Sequence, residues 1–214
     1  CTSFNQPITS WNLTNAVGLF QLLGNCTSYN QPLEGLNLGG VNNISNMLYG
    51  CTSFNQPMDN FNVTNVEQFW GLFEGCTSFN QPINLWNVSS GLDMKYMFRG
   101  ATSFNQPLSN WNTVNVTSFI EMFNGAVLFD QDISNFLVTN INYNGINDMV
   151  SNCGISTANY DALLASFVPQ IPLAHGSNTI FTANGCTYSS AGAVNRNILT
   201  TTSPLWLITG DSLV

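Results

Sequence analysis

The sequence predicts an α/β repeat fold, a right-handed solenoid in which each 25-residue coil carries one short strand and one short helix. Three observations support this prediction. The opening Cys/Ala-Thr-Ser-Phe/Tyr-Asn-Gln-Pro recurs every 25 residues from Cys1 to Ala101, and a degenerate copy begins at Ala126. The hydrophobic spacing changes from extended to helical inside each copy. A unit this short cannot bury its own apolar face, so the copies must stack, as in leucine-rich-repeat-like solenoids.

The composition excludes several classes of partner. Hydrophobic residues make up 44% of the 214 residues but charged residues only 7%, against about 25% in typical domains. The net charge is -8, and the three basic residues are too few to neutralise a nucleic acid or an anionic membrane surface. No apolar run reaches the roughly 18–20 residues of a membrane span, and no signal peptide is visible. We expect a mature form or a piece of a longer protein, because residue 1 already begins a repeat in phase.

The first half of each copy predicts a turn that leads into a strand. A Pro lies two residues after an Asn, and Pro favours extended geometry in the residue before it. Further along, Val63–Val66 indicates a short strand edge. The fourth column of the repeat is expected to stack its rings inside the coil: Phe4, Tyr29, Phe54, Phe79, Phe104 and Phe129. A second large apolar column is expected in the core: Trp11, Leu36, Phe61, Trp86, Trp111 and Phe136.

The second half of each copy predicts a short helix. Val66, Phe69 and the pair Leu72–Phe73 follow the spacing of one helical face. A Gly then stands where a helix commonly ends in a left-handed residue, as Gly75 does. In the first copy Asn25 takes this place, and Asn is the usual second choice there.

Three columns of the repeat consist mainly of Asn. Their side chains can bond to each other and to backbone groups that turns leave unpaired, which favours a structural role over direct ligand binding. The first column is Asn5, Asn30, Asn55, Asn80, Asn105 and then Asp130. The second is Asn12, Asn37, Asn62, Asn87 and Asn112, and the third is Asn15, Asn65, Asn115 and Asn140.

The repeat resembles the BspA-like surface-protein repeat, also described as a Mycoplasma lipoprotein-associated 25-residue repeat. The resemblance is carried by Thr-Ser-Phe-Asn-Gln-Pro-Leu-Ser-Asn-Trp-Asn at 102–112 and Asn-Val-Thr-Ser-Phe-Ile-Glu-Met-Phe-Asn-Gly at 115–125, and it covers residues 1–141. It implies a secreted or surface-anchored protein that takes part in adhesion and in contact with a host or matrix. The chain departs from the pattern at Thr113-Val114 and across 142–149, so a sixth helix is not firmly predicted.

The repeat period is lost near Ser151, which divides the chain into a solenoid at 1–150 and a C-terminal α/β segment at 151–214. Ser156 or Thr157 can begin a helix that ends before Pro169, and Ser189 or Ser190 can begin a second one. Strands are expected at 179–182 and 205–208. Solenoids need a terminal unit that shields the last coil, so we expect this segment to be a cap. A separate binding domain is the alternative.

The six cysteines fall into two groups. Cys1, Cys26, Cys51 and Cys76 share one column, and Ala101 and Ala126 replace them later, which indicates a small buried site with free thiols. Stacked coils also bring such cysteines close enough to bridge. Cys153 and Cys186 lie outside this column and are the better candidates for a disulfide.

The sequence does not favour catalysis, a cofactor or a metal. His175 is the only histidine, and its loop offers no evident carboxylate or nucleophile neighbour, so we expect a surface residue. Asp130 and Asp132 could help to bind a hard cation, but solvated turn acids are the simpler interpretation. There is no phosphate-binding loop and no Cys-x-x-Cys. We therefore predict a protein that is not an enzyme.

Two kinds of surface site remain. The repeat contains six Asn-x-Ser/Thr sequons, which would carry glycans in a eukaryotic or viral source: Asn12, Asn25, Asn43, Asn62, Asn87 and Asn115. Trp70 is the best candidate for stacking on a sugar ring, because its column varies between copies and is therefore expected to face outward.

Two functional hypotheses follow. The first is an extracellular adhesion or recognition module that presents its repeat faces to protein or glycan on another surface. The second is a structural subunit or decoration of a surface filament, appendage or virion, because stacked coils have open ends and low charge offers little repulsion. Both place the protein outside the cell or on a cell or virion surface.

Overall fold

Backbone pairing in the repeat region joins residues that lie 25 positions apart. The structure is a computed structural model and describes residues 1–36, 38–142, 144–173, 179–202 and 206–214. A run of parallel bridges connects Gly18, Asn43, Gln68, Asp93 and Ser118, one residue from each copy. Each copy therefore forms one coil that lies directly against the next.

The helix predicted in the second half of each coil is wrong for the described residues of 1–156, which contain no helix. In its place the second coil has overlapping turns, in which the amides of Met47, Tyr49 and Cys51 donate to carbonyls three residues earlier. The alternating amides of Ile44, Asn46, Leu48 and Gly50 donate to carbonyls of the third coil. A helix would use all these amides internally, so it could not supply the bonds that join the coils.

The strand expected at Val63–Val66 is also absent. The amide of Val66 donates to the carbonyl of Val63 at 2.9 Å, which closes a turn. The residue of this coil that does pair with its neighbours is Gln68, two positions later. The change of hydrophobic period within the copy therefore marks two kinds of turn segment rather than a strand and a helix.

The residues that form the core were predicted correctly. An apolar column of the repeat can point inward whether its backbone is a helix or a series of turns. Val66, Phe69, Leu72 and Phe73 are all fully buried. The predicted ring stack is confirmed, with neighbouring rings 5.9–6.1 Å apart from Phe4 to Phe129. Stacked rings at this spacing fit the preferred range for aromatic pairs and remove a large apolar area from water.

The C-terminal segment holds all the regular helices and strands of the described residues. They are listed here in chain order: helix α1 Thr157–Phe167, a 3-10 turn Val168–Leu173, β1 Thr179–Thr182, β2 Thr187–Tyr188, helix α2 Ser190–Thr201, β3 Trp206–Thr209 and β4 Ser212–Leu213. Strands β1 and β3 are parallel, as are β2 and β4. The N-caps are Ser156 and Ser189, so one of the two alternatives predicted for each helix is confirmed. Leu205, the first residue of the predicted last strand, lies outside the described residues.

The stack continues through this segment although the sequence period does not. The amide of Gly125 donates to Ser151, that of Asn152 to Asn184, and that of Ala183 to Thr209. The segment therefore adds layers to the stack, with α1 and α2 as parts of longer connections. Among the described residues no helix has the length and apolar character needed to cross a bilayer.

Candidate binding face

Several columns of the turn segment change in chemical character from coil to coil, while the columns that build the core stay apolar, and three of the varying columns surround one groove. The first varying column is Phe20, Ser45, Trp70, Lys95 and Ile120; the second is Gln21, Asn46, Gly71, Tyr96 and Glu121; the third is Gly24, Tyr49, Glu74, Arg99 and Asn124. We call these fifteen positions the variable face. Phe20 and Gln21 are exposed and most of the other positions are half-buried, while Ser45, Asn46, Gly71 and Glu74 are buried.

The second column of the variable face lies in left-handed backbone. Asn46, Tyr96 and Glu121 have φ of 54°, 59° and 50°, which costs roughly 1–2 kcal/mol for a residue that is not Gly. The conformation is retained because each amide bonds to the next coil, as in Asn46 to Trp70 at 2.7 Å and Tyr96 to Ile120 at 2.8 Å. Left-handed residues other than Gly cluster at functional sites, so this column marks the variable face as a candidate functional site.

The middle of the variable face is concave. A groove of about 290 Å³ is lined by Gln21, Asn46, Tyr49, Trp70, Glu74, Tyr96 and Arg99. The rings of Trp70 and Tyr96 lie 6.4 Å apart at an angle of 54°. Gly71 makes room for the groove, because a Cβ on it would come within 2.1 Å of the Asn46 Oδ1 atom.

Two cations are fixed against the rings of the groove. The Lys95 ammonium lies 4.5 Å from the Trp70 ring centre and 3.0 Å from the Asp93 carboxylate. The Arg99 guanidinium lies 4.5 Å from the Tyr96 ring centre and bonds to both Glu74 and Glu121. Although burial alone would lower the pKa of Arg99, the bonds to Glu74 and Glu121 raise it. These contacts hold the rings in place before any partner arrives.

Sequence reasoning found one residue of this groove and missed the others. Trp70 was singled out, and the structure brings it together with Tyr49, Tyr96 and Arg99. The same signal, variation of a column between copies, would also have found the neighbouring two columns. Within the apolar column predicted to be core, Trp86 and Trp111 are buried but Trp11 is 46% exposed, which corrects the prediction for that residue. Trp11 belongs to the first coil of the described residues.

Comparison with known families assigns the repeat region. A family model described as "Mycoplasma protein of unknown function, DUF285" matches residues 1–70 and 56–162. The chain belongs to the DUF285 family. The matched residues include every coil of the variable face and extend into α1. Searches of the curated proteins and of the solved structures gave no match.

The sequons of this DUF285 chain differ in accessibility. Asn12, Asn62 and Asn87 are exposed, and each Oδ1 accepts a bond from the amide two residues later. Asn43 is half-buried, and the Nδ2 atom of Asn115 donates to the Ser89 carbonyl at 2.9 Å. Asn25 is exposed, with its Oδ1 close to Gly50. Glycosylation at all six positions stays a prediction: Asn43 is half-buried and the Asn115 Nδ2 atom is engaged, while the other four sequon asparagines are exposed.

The Asn columns have the structural role predicted for them. The Oδ1 atom of Asn55 accepts from the Asn80 amide and from Gln81, both at 3.0 Å, and the same pattern recurs in the other coils. In the third column, Asn65 donates to the Gly39 carbonyl at 3.0 Å. Asn37 of the second column lies outside the described residues. The neighbouring coil therefore engages the Oδ1 atoms of the first column and the Nδ2 atoms of the third, while Asn side chains of the second column cap turns within their own coils.

All six cysteines are free thiols in this structure. A side-chain hydrogen bond with Cys186 lowers the pKa of the Cys153 thiol, so the two thiols are neighbours. The disulfide between them stays a prediction. In the cysteine column, the Cys76 thiol donates to the Leu48 carbonyl at 3.0 Å and is fully buried.

The residues considered for catalysis or metal binding have other surroundings. One Asp130 oxygen accepts bonds from Ser156 and Asn159, and Asp132 caps its own turn through the Ser134 amide. In the described part of the chain no cluster of three or more His, Cys, Asp or Glu could hold a metal ion. His175 lies outside the described residues. The predictions that the chain has no cofactor and is not an enzyme stay predictions.

Proposed function

We propose that this DUF285 chain is a BspA-like surface protein, a right-handed leucine-rich-repeat-like solenoid that recognises protein or glycan outside the cell without catalysing a reaction. The variable face is the contact surface in this proposal. The 25-residue spacing of the bridges between coils supports the solenoid, and membership of the DUF285 family supports the BspA-like assignment. Location on a cell or virion surface follows from the same resemblance and is part of the proposal.

The observation that carries the proposal is the separation of repeated from varied positions. A column that repeats is needed by every coil for packing or for bonding to its neighbours. The positions of the variable face are not required to hold one residue type in every coil. They include Trp, Tyr and Arg, the residues most enriched at binding hot spots. Both Lys95 and Arg99, two of the three basic residues in the chain, lie on it. Such a distribution is expected of a scaffold that presents one binding surface.

An adhesion assay on the whole chain tests this function. Purified protein is immobilised, and the retention of host cells and of extracellular-matrix proteins is measured for the wild type and for Tyr96→Ala. Leu85→Ala is the control, because Leu85 is 80% exposed and lies outside the variable face. We expect Tyr96→Ala to reduce retention and Leu85→Ala to leave it unchanged. Equal retention by all three proteins, or retention by none, would refute recognition through this face.

A structural role is the second candidate because the low charge of the chain offers little repulsion against assembly. Apolar side chains are also exposed inside the repeat region, where Val127 and Leu128 are 54% and 59% exposed. Adjacent exposed apolar side chains favour contact with another copy of the chain.

Sedimentation velocity distinguishes the two functions. An assembling subunit gives particles larger than one chain, and Leu128→Asn, which makes the exposed apolar pair more polar, reduces them to monomers. A recognition module sediments as a monomer and keeps its retention of cells after Leu128→Asn.

A further inference from the structure

The groove of the variable face combines ring surfaces with planar polar groups in a space of small-ligand size. We propose that it binds a neutral oligosaccharide, with a sugar ring seated against Trp70 and Tyr96. This inference rests on the proposed function, because it names the ligand of the same face.

The size of the groove favours a sugar over a protein surface. Its volume of about 290 Å³ lies just below the range of small-molecule sites, roughly 300–1,000 Å³. A stable protein interface needs about 800 Å² on each partner, far more surface than this groove offers. A concave site of this size fits one or two rings of a ligand whose remaining length lies outside it.

The lining of the groove matches both sides of a pyranose. One side of a sugar ring carries C–H groups, and these are removed from water when the ring packs on an aromatic face. The edges carry hydroxyls, each able to donate and to accept. Asn46 and Gln21 offer amides with both capacities, while Glu74 accepts and Arg99 donates. Trp70 and Tyr96 supply the aromatic surface at a mutual angle of 54°.

The charges in and beside the groove exclude the other ligands that aromatic residues attract. Three carboxylates, Asp93, Glu74 and Glu121, stand against two cations, so the net charge does not favour an anion. Lys95 and Arg99 already lie over Trp70 and Tyr96, so one face of each ring is closed to any ligand, and an external cation would also be repelled by the two positive charges. A sugar ring therefore packs against the aromatic surface that the two cations leave open. A neutral ligand is consistent with both the net charge of the groove and the positions of the two cations.

Titration of the full-length chain with defined sugars tests the inference. The probes are the neutral cellotetraose, chitotetraose and mannotetraose, with sialyllactose as the anionic comparison, and isothermal calorimetry reports binding. The variant is Trp70→Ile, because the equivalent residue Ile120 already occupies this column in the fifth coil. The control is Trp11→Ile, since Trp11 is exposed at the first coil, outside the residues that line the groove. Thermal unfolding of both variants confirms that they are folded.

We expect at least one neutral tetrasaccharide to bind, Trp70→Ile to weaken it by about tenfold, and Trp11→Ile to leave it unchanged. The inference is overturned if no neutral sugar binds, if sialyllactose binds best, or if Trp70→Ile binds as well as the wild type. If Trp70→Ile does not fold, Trp70→Ser replaces it, because Ser45 occupies the same column in the second coil; unchanged binding by that variant would again overturn the inference. Adhesion to glycosidase-treated surfaces that still depends on Tyr96 would preserve the proposed function while rejecting the sugar.

Discussion

Asn55 shows how a single side chain joins neighbouring coils. Its amide donates to the Asn30 Oδ1 atom at 3.0 Å, and its own Oδ1 accepts from the Asn80 amide and from Gln81. The backbone near Pro57 cannot form a regular ladder because Pro has no amide donor. Side-chain amides therefore supply the lateral bonds at this corner of every coil.

Replacement of Asn55 by Ala is expected to lower the free energy of unfolding by about 1 kcal/mol. The change leaves the Asn80 amide and the Gln81 side chain without their acceptor, and the sites are only partly buried, so water replaces some of the loss. Asn60→Ala, at an exposed position outside this column, is the control. Urea unfolding measures both variants, and equal stability of the two would contradict the role assigned to the column.

Asp130 extends the same column to the first helix. Its amide donates to Asn105 at 2.9 Å, and its carboxylate accepts from the Ser156 amide, at the N-cap of α1, at 2.7 Å. Although partial burial alone would raise the pKa of Asp130, the bonds from Ser156 and Asn159 lower it below its ordinary value. A carboxyl with a lowered folded-state pKa adds stability above its unfolded pKa of about 3.9 and loses it as the pH falls.

Asp130→Asn keeps the acceptor oxygen, as in the other coils, but removes the titrating charge. We expect the wild type to be the more stable protein at neutral pH, and its advantage to disappear as the pH falls below about 4. Urea unfolding over a series of pH values measures the difference. An advantage that is constant with pH would show that the charge has no part in holding α1.

The turn segment is the element that the sequence described least well. Val66, Phe69, Leu72 and Phe73 are buried as a helical face would be, so the apolar pattern was satisfied by a different backbone. Half of the amides bond to the next coil, and Gly71 and Gly75 adopt φ of 60° and 70°. Hydrophobic spacing reports which side chains point inward, but it does not report where the amides donate.

Gly71→Ala is expected to destabilise this element more than Gly35→Ala destabilises its turn. Both glycines have positive φ, so both variants suffer backbone strain of about 1 kcal/mol. Only at Gly71 would the new Cβ meet the Asn46 Oδ1 atom, while nothing lies within 4 Å of the corresponding position at Gly35. Chemical unfolding compares the two, and an equal loss of stability would mean that Asn46 moves away freely.

At the scale of the whole molecule, the α-helix among the described residues is confined to two short segments. Helices α1 and α2 contain 11 and 12 residues, about a tenth of the 214-residue chain. Far-UV circular dichroism is therefore expected to show a weak helical signal on a spectrum dominated by turns. A signal large enough for one helix in every coil would contradict the described turn segments and favour the backbone expected from the sequence.

The sequence by itself determined the period, the inward columns and the supporting role of the Asn side chains, because each depends on what one residue type can do in every coil. Only the tertiary structure decided the backbone of the turn segment and the assembly of the groove. Trp70, Tyr96 and Tyr49 come from different coils, so their proximity is created by stacking. The sequence also contained no sign that the stack continues beyond Ser151. The amide of Asn152 donates to the carbonyl of Asn184, and the residues inserted between them break the 25-residue period. Hydrogen bonds between coils join residues that are far apart in the chain, so the sequence pattern within one coil does not predict them.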